Sequence, residues 1–407
     1  MLSHDVVIVG GGAGGLAAAA SLLRRRPELD VAVVEPRKFH DYQPGYTLIG
    51  AGVFSTADVR RPMAKVMPKG VTWLRTAVKA FAPDKNNVLL ENGKELGYRL
   101  LVVATGNRLD FEAIFGLTDT LGRNGVTSNY RFDLAPYTWE LARELRSGTA
   151  LFTQPPMPIK CAGAPQKAMY LSCSHWEREH VLGNIEVEFH SAAPTLFGVK
   201  DYVPALEQTV GRYGIDVRFG SNLVAVDGQG RTATFKTDGG EIKRHFDMLH
   251  VTPPQKPIAI VVDSPLADSS GYVDVDHFTL QHRRYPNVFA LGDIGGMPNA
   301  KTAAAVRKQA PVVAVNALAA LAGKAPKVAY DGYGSCPLTV ERGKILLAEF
   351  GYGGVLLPSF PESIIDGRKP SRLAWHLKKE VLPTIYWDAM LKGHEWLASP
   401  TKLENAA

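Results

Sequence analysis

Residues 5–15 read DVVIVGGGAGG, and the fold follows from them. Asp5–Val9 is an unbroken apolar strand, the pattern of a parallel sheet covered on both faces. Gly10, Gly12 and Gly15 follow in G-x-G-x-x-G spacing, with Ala13 and Gly14 between them. Gly10 permits a tight turn, Gly12 lets backbone approach a pyrophosphate, and Gly15 lets a helix pack on the strand. A helix is predicted over Leu16–Arg26, its positive end aimed at the phosphates. A second strand, Val31–Val34, ends at Glu35, 20 residues past Gly15, where an acid accepts a ribose hydroxyl. A glycine-rich turn in an unrelated sheet would not supply strand, glycines, helix, second strand and acid in this order. The first unit therefore reads as a dinucleotide-binding fold.

A second strand-like run, Thr149–Thr153, leads into QPPMPIKCAGAPQKA at 154–168. Where a second phosphate turn would stand, Pro155, Pro156 and Pro158 remove amide donors, and Cys161 takes the place of a glycine turn. The next strand, Glu186–His190, ends in HSAAP with no acid. The second unit is a nucleotide fold rebuilt around a thiol, which disfavours NAD(P)H as electron donor and favours sulfur. No cysteine follows the first helix, so the CxxxxC pattern of pyridine-nucleotide disulfide reductases is missing there.

Two further segments specify FAD as the dinucleotide. Leu100–Ala104 is a strand closing at Thr105-Gly106, and residues 287–293, NVFALGD, form another ending at Gly292-Asp293. An Asp at that place accepts hydrogen bonds from a ribityl chain. Residues 298–310 open a helix whose N-terminus, with Lys301 and Thr302, would face the flavin and stabilise negative charge on its reduced form. A motif near residue 10 that needs residues near 293 implies a split domain. The expected class is α/β. The FAD domain comprises 1–113 and 265–327. Residues 114–264 form an inserted Rossmann-like domain lacking the NAD glycine motif, and 328–407 a C-terminal region with amphipathic helices.

The 407 residues, 45% hydrophobic and 21% charged, suit a multidomain globular enzyme. A net charge of +6 favours an anionic substrate or lipid surface and is too weak to argue for nucleic acid. Three cysteines, Cys161, Cys173 and Cys336, are too few for a secreted disulfide scaffold and fit an intracellular redox pair plus one spare. Cys173 reads as a buried small hydrophobe on a helix. No Cys/His cluster has metal-ligand spacing, so no metal is expected. The N-terminus reads as lacking a signal or transit peptide, and no apolar run is long enough to span a bilayer. Val312–Ala322 reads as a buried core helix, and 398–407 as a frayed tail.

The chain resembles the sulfide:quinone oxidoreductases, flavoproteins of the two-dinucleotide-fold family that includes type II NADH dehydrogenases. Matching stretches run nearly end to end: VVIVGGGAGGLAAA, DYQPGYTLIGAG (41–52), LLVVATG, GIDVRFGSNLVAVD (214–227), NVFALGDIGGMPNAKTAAA and YDGYGSCPLTVERGKILLAEFGYGG (330–354). The likeness is to the branch holding the mitochondrial enzymes. A third cysteine of the other bacterial branch is missing from GVTSNY at 125–130. The resemblance implies FAD contacts at Pro36, Gln43, Pro44, Val78, Ala104, Thr105 and Gly106, besides the residues already named. It also implies a redox pair, with Cys161 as persulfide carrier and Cys336 as flavin-facing thiol. Hydrosulfide then opens a bridge between them. The implied partners are hydrogen sulfide, a membrane quinone and a small sulfur acceptor (thiol, sulfite or polysulfide).

Residues 371–398, SRLAWHLKKEVLPTIYWDAMLKGHEWLA, read as two short helices broken at Pro383. Their apolar and aromatic face, flanked by Arg372, Lys378, Lys379 and Lys392, suits a peripheral, monotopic helical pair lying in a membrane interface. In a bacterium this would be the cytoplasmic face. The bland alternative is a cap packed on the protein's own core or on a second copy in a homo-oligomer. Phe350, Tyr352, Tyr386 and Trp387 are the candidates for stacking on quinone. Two other functions stand beside this one: a type II NADH:quinone dehydrogenase, and a non-catalytic flavin and thiol redox sensor.

Overall fold

The computed structural model describes residues 2–403. In chain order the elements that build the site are β1 (Leu2–Val9), α1 (Ala13–Arg25), β2 (Val31–Val34), β3 (Val71–Leu74) and β4 (Glu95–Val103). Then come β5 (Gly148–Gln154), α2 (Ala164–Arg178), β6 (Ile185–Ser191), β7 (Val288–Ala290), α3 (Ala303–Leu321), β8 (Gly334–Glu341) and β9 (Lys344–Phe350).

The first sheet runs β3-β2-β1-β4 in parallel. β7, almost 190 residues after β4, pairs parallel with Leu101–Val103 of β4. The first half of the domain is thus completed by a late segment. Val6–Val9 of β1 and Val31–Val34 of β2 are buried on both faces, as their unbroken hydrophobic runs require. α1 and α3 pack together on this sheet through buried alanines, among them Ala17, Ala18, Ala314 and Ala317.

A second, five-stranded parallel sheet holds Val126–Thr127, Met248–His250, β5, β6 and Asp216–Phe219, in that order. A three-stranded antiparallel sheet over 222–245 leans on it. The chain crosses between the two units at two adjacent places, where Asn107–Leu109 pairs with Gln255–Pro257. Val261 already packs in the first unit's core, so the return lies a few residues earlier than the expected 264/265 boundary. The hairpin β8–β9 then packs against α2, tying the C-terminal region to the inserted unit.

Val312–Ala322 falls in a buried helix as expected: α3 runs through it to Leu321 with Pro311 inside, and Thr302 caps it by accepting from Ala305 N. Two expectations about the later chain are corrected. The helical run from Arg372 to Lys392 does not break at Pro383. Wide π turns at Leu377–Val381 and Ile385–Ala389 flank that proline, and a relaxed hydrogen-bond ladder tolerates its missing N–H. The tail is tied down as far as 403, because Thr401–Lys402 pairs with Val328–Ala329. Residues 404–407 lie outside the described residues.

Candidate active site: a cysteine pair between two nucleotide folds

Gly10 adopts φ +104°, and a Cβ there would stand 2.5 Å from Ala104 O. Gly15 Cα packs directly on Gly10 O, so any side chain would drive α1 off β1. Gly12 faces open space. Glu35, buried at the end of β2, accepts from Gly11 N at 2.8 Å and from Arg37 N at 2.8 Å. Pro36 and Arg37 continue that turn. Gln43 and Pro44 form a short 3₁₀ turn, and Lys160 Nζ donates to Gln43 Oε1 at 2.8 Å. Val78 opens the strand after β3, whose Leu74 carbonyl accepts from Glu35 N. Ala104, Thr105 and Gly106 close β4, and Gly292–Asp293 closes β7.

These residues fit FAD. Thr105 Oγ1 and both polar side-chain atoms of Asn107 are buried without a protein partner. They lie just past the end of β4 and would be free to take hydrogen bonds from a bound dinucleotide. Lys301 stands just before the helix rather than in it. Its ammonium donates to the carbonyls of Asp293 (2.8 Å) and Gly295 (3.1 Å). Burial pushes Lys301 down to about 8, so it can still hold a positive charge at neutral pH.

Cys161 and Cys336 come together across 175 residues, Sγ to Sγ 3.9 Å. Cys161 ends the proline-rich loop after β5, with a left-handed φ of +50°. Its N–H donates to Lys301 O at 3.0 Å, and its carbonyl accepts from Ala164 N at 2.7 Å. Those bonds hold a strained turn that a β-carbon disfavours. Cys336 sits on β8 with only 2% of its surface exposed, whereas Cys161 is half-buried. Cys173 lies on α2, fully buried, with its thiol pushed up by that burial.

Two lysines, Lys167 and Lys378, face the pair, and a third, Lys160, precedes Cys161 on its loop. Lys167 Nζ on α2 donates to Cys161 Sγ at 3.1 Å. The contact with the Cys336 thiol, reinforced by Lys167, holds Cys161 well below the ordinary thiol range. The same contact and burial hold Cys336 well above it. The Lys167 ammonium, 3.1 Å from Cys161 Sγ, favours the thiolate on that sulfur. Burial opposes charge on Lys167, but the two sulfurs keep it protonated. Lys378, placed by the sequence reading at a membrane flank, is instead 3% exposed and feels both sulfurs. Burial and the Lys167 charge push it down to about 7. Lys160 is the third, bridging the Cys161 loop to Gln43.

The quinone candidates do not form one cluster. Phe350 packs on Phe197, and Tyr352 packs against Tyr330 and Phe278. Tyr386 and Trp387 are buried against His40 and Tyr42, inside the first domain. They are not on a lipid-facing surface, which corrects that expectation. His190, at the end of β6, is locked between Glu188 Oε2 and Ser221 Oγ, each at 2.8 Å.

Gly163 separates Cys161 from α2. A Cβ there would stand 2.5 Å from Cys336 Sγ and strike Leu338. Gly163→Ala is therefore expected to push the sulfurs out of register. Thermal unfolding should show a loss of ~1–3 kcal/mol, and stopped-flow absorbance a roughly 10²-fold slower thiol-dependent flavin reduction.

Fold and site together define an FAD-dependent oxidoreductase built on two nucleotide folds, the second with Cys161 where a phosphate turn would stand. A sequence-family profile described as "Pyridine nucleotide-disulphide oxidoreductase" matches residues 4–153. The chain is 42% identical over 375 residues to "Sulfide:quinone oxidoreductase, mitochondrial" of Dictyostelium discoideum, covering 91% of this chain and 82% of that one. It is 38% identical over 368 residues to the Mus musculus protein of the same name, covering 90% and 81%. The X-ray structure of the sulfide:quinone oxidoreductase from the hyperthermophilic bacterium Aquifex aeolicus shares the fold. Its TM-score is 0.81 at 19% identity, covering 97% of this chain and 92% of that one. The chain belongs to the sulfide:quinone oxidoreductase family, and FAD is its cofactor.

Proposed function

We propose that this protein oxidises hydrosulfide at the Cys161–Cys336 pair and sends the electrons through FAD to a membrane quinone. The observation that carries the reading is the pair itself: two sulfurs 3.9 Å apart with an ammonium at 3.1 Å. A direct disulfide needs ~2.05 Å, and one bridging sulfur, bent at its own atom, spans ~3.3 Å, so the 3.9 Å gap must close less for a bridging sulfur than for a direct bond.

Hydrosulfide reaches the half-buried Cys161 first. A bond forms between its sulfur and Cys161 Sγ. The bond from Cys161 towards Cys336 breaks, and its electron pair leaves on the Cys336 side, as a thiolate from a direct disulfide or as a persulfide anion where a sulfur bridged the pair. Lys167, in reach of both sulfurs, stabilises that charge. Lys378, close to neutrality, can take the proton of the new persulfide. FAD, when bound, supplies the acceptor for the electron pair and hands it to quinone. The outer sulfur then leaves Cys161 for a small nucleophile such as a thiol, sulfite or polysulfide. The Cys161 thiolate, favoured by the nearby Lys167 ammonium, re-forms the bond to Cys336, and the electron pair released as that bond forms is the one the flavin would accept.

No helix among the described residues is long and apolar enough to cross a membrane. Leu373 and Val381 on the C-terminal helical run, with Trp396 (74% exposed) and Leu397 (71%), leave an apolar surface open. Arg372, Lys379 and Lys392 lie in the same segment. That surface supports a peripheral, monotopic enzyme, on the cytoplasmic face if the host is a bacterium. Phe350 and Tyr352 remain the quinone candidates. The test is steady-state turnover with a short-chain quinone. Sulfide alone should drive it, and quinone reduction that needs NADH would overturn the reading.

A further inference from the structure

A buried relay through His40 joins the C-terminal segment to the phosphate loop, with Tyr386 lying 346 residues from His40. His40 Nε2 meets Tyr386 Oη at 2.6 Å, and His40 Nδ1 meets Gly11 O at 3.0 Å. A carbonyl can only accept, so Nδ1 carries the proton and donates to Gly11 O. Nε2 is then the acceptor, and the Tyr386 hydroxyl donates to it. Burial pushes His40 down to about 4, which keeps the ring neutral and consistent with this single tautomer.

The consequence lies in the peptide beyond. Gly11 N–H is held by Glu35 and Gly11 C=O by His40, so this residue is pinned at both ends. A trans peptide is planar, with C=O and the following N–H on opposite sides. Pointing Gly11 O at His40 therefore turns the Gly12 N–H the other way. That N–H has no acceptor among the described residues, and Gly12 faces open space. This is the place where the loop offers an amide to a pyrophosphate.

We propose that Tyr386, acting through His40, is a positioning residue for FAD, and that FAD and the C-terminal segment bind cooperatively as a result. The segment is well placed for such coupling. Tyr386 also packs on Tyr42, with ring centroids 4.8 Å apart, and the Arg61 guanidinium lies 4.2 Å over Trp387. At the far end of α1, Glu395 takes Ser21 Oγ at 2.6 Å and both Arg25 guanidinium nitrogens. The segment thus grips α1 at its C-terminal turn and the glycine loop at its N-terminal turn. Reciprocity requires that FAD tighten the segment as much as the segment tightens FAD.

The test uses the full chain, stripped of FAD and titrated with it by flavin fluorescence, without sulfide or quinone. Its outcome is therefore separate from that of the sulfide reading. Tyr386→Phe should weaken FAD about five- to tenfold, the effect of one neutral hydrogen bond. His40→Leu should weaken it at least as much. His40→Asn, whose amide can still donate to Gly11 O, should stay closer to wild type. The Y386F/H40L double variant should be no weaker than H40L alone, because the hydroxyl acts only through the ring. In limited proteolysis, FAD should protect 372–403 in the wild type and protect it less in Y386F. Wild-type FAD affinity in Y386F would overturn the proposal, even with a lowered apoprotein melting temperature. So would additive losses in the double variant.

Discussion

Cys336→Ser should abolish sulfide-driven bleaching of the flavin, a loss of at least about 10³-fold in the rate of reduction. Serine keeps the size and the buried site on β8 but cannot form the sulfur bridge on which the proposed reaction depends. Cys161→Ser should fail equally, because the pair acts as a unit and half of it has no electrophilic sulfur. Both variants should still bind FAD, since neither cysteine lies in the glycine loop or at the ends of β4 and β7. Cys173→Ala is the control. That thiol is fully buried on α2 and pushed up by burial, so it supplies no thiolate. Its loss should leave the reduction rate within about twofold and cost ~1 kcal/mol or less of stability. Stopped-flow absorbance at the flavin band measures all three. Residual rapid bleaching in Cys336→Ser would mean that sulfide reaches the flavin directly.

Lys167→Met should slow the same half-reaction by about 10- to 100-fold, the cost of one charge-assisted hydrogen bond to a buried thiolate. It should also change the pH dependence of Cys161. In the wild type this thiol ionises well below the ordinary range, so iodoacetamide should still alkylate it at pH 6. Removing the ammonium raises its pKa, so alkylation at pH 6 should fall and recover only as pH rises. The methionine fills the same volume as the lysine stem, which limits the packing change. Unchanged alkylation at pH 6 would assign the low pKa to the Cys336 contact alone.

The first nucleotide fold was legible because each of its requirements is local. An apolar run, three glycines at fixed offsets and an acid at the next strand end all fall within 31 residues, Asp5 to Glu35. The loss of the second glycine turn was equally local. The meeting of Cys161 and Cys336 was not, since nothing in spacing relates residues so far apart. Family likeness supplied it, and the α2–β8 packing explains it. Lys167 left a faint trace. A lysine in the opening turns of a helix runs against the helix dipole, and such a placement asks for an anion nearby. Lys378 left none, because a lysine among apolar helical residues looks the same whether it snorkels to lipid or turns inward to a thiolate. The C-terminal segment misled for a related reason. Apolar residues surround it on all sides, so periodicity could not say that Tyr386 and Trp387 face His40 and Tyr42 while Leu373 and Val381 face out. The tail's pairing over Thr401–Lys402 is two residues long and has no pattern to read.

The most direct measurement is the anaerobic flavin spectrum of the purified protein, mixed first with NADH and then with sulfide. Sulfide alone should bleach the flavin, and a short-chain quinone should restore its colour. Bleaching by NADH, with sulfide inert, would mean that the inserted domain still binds nicotinamide despite its three prolines, and that the Cys161–Cys336 pair is not where electrons enter.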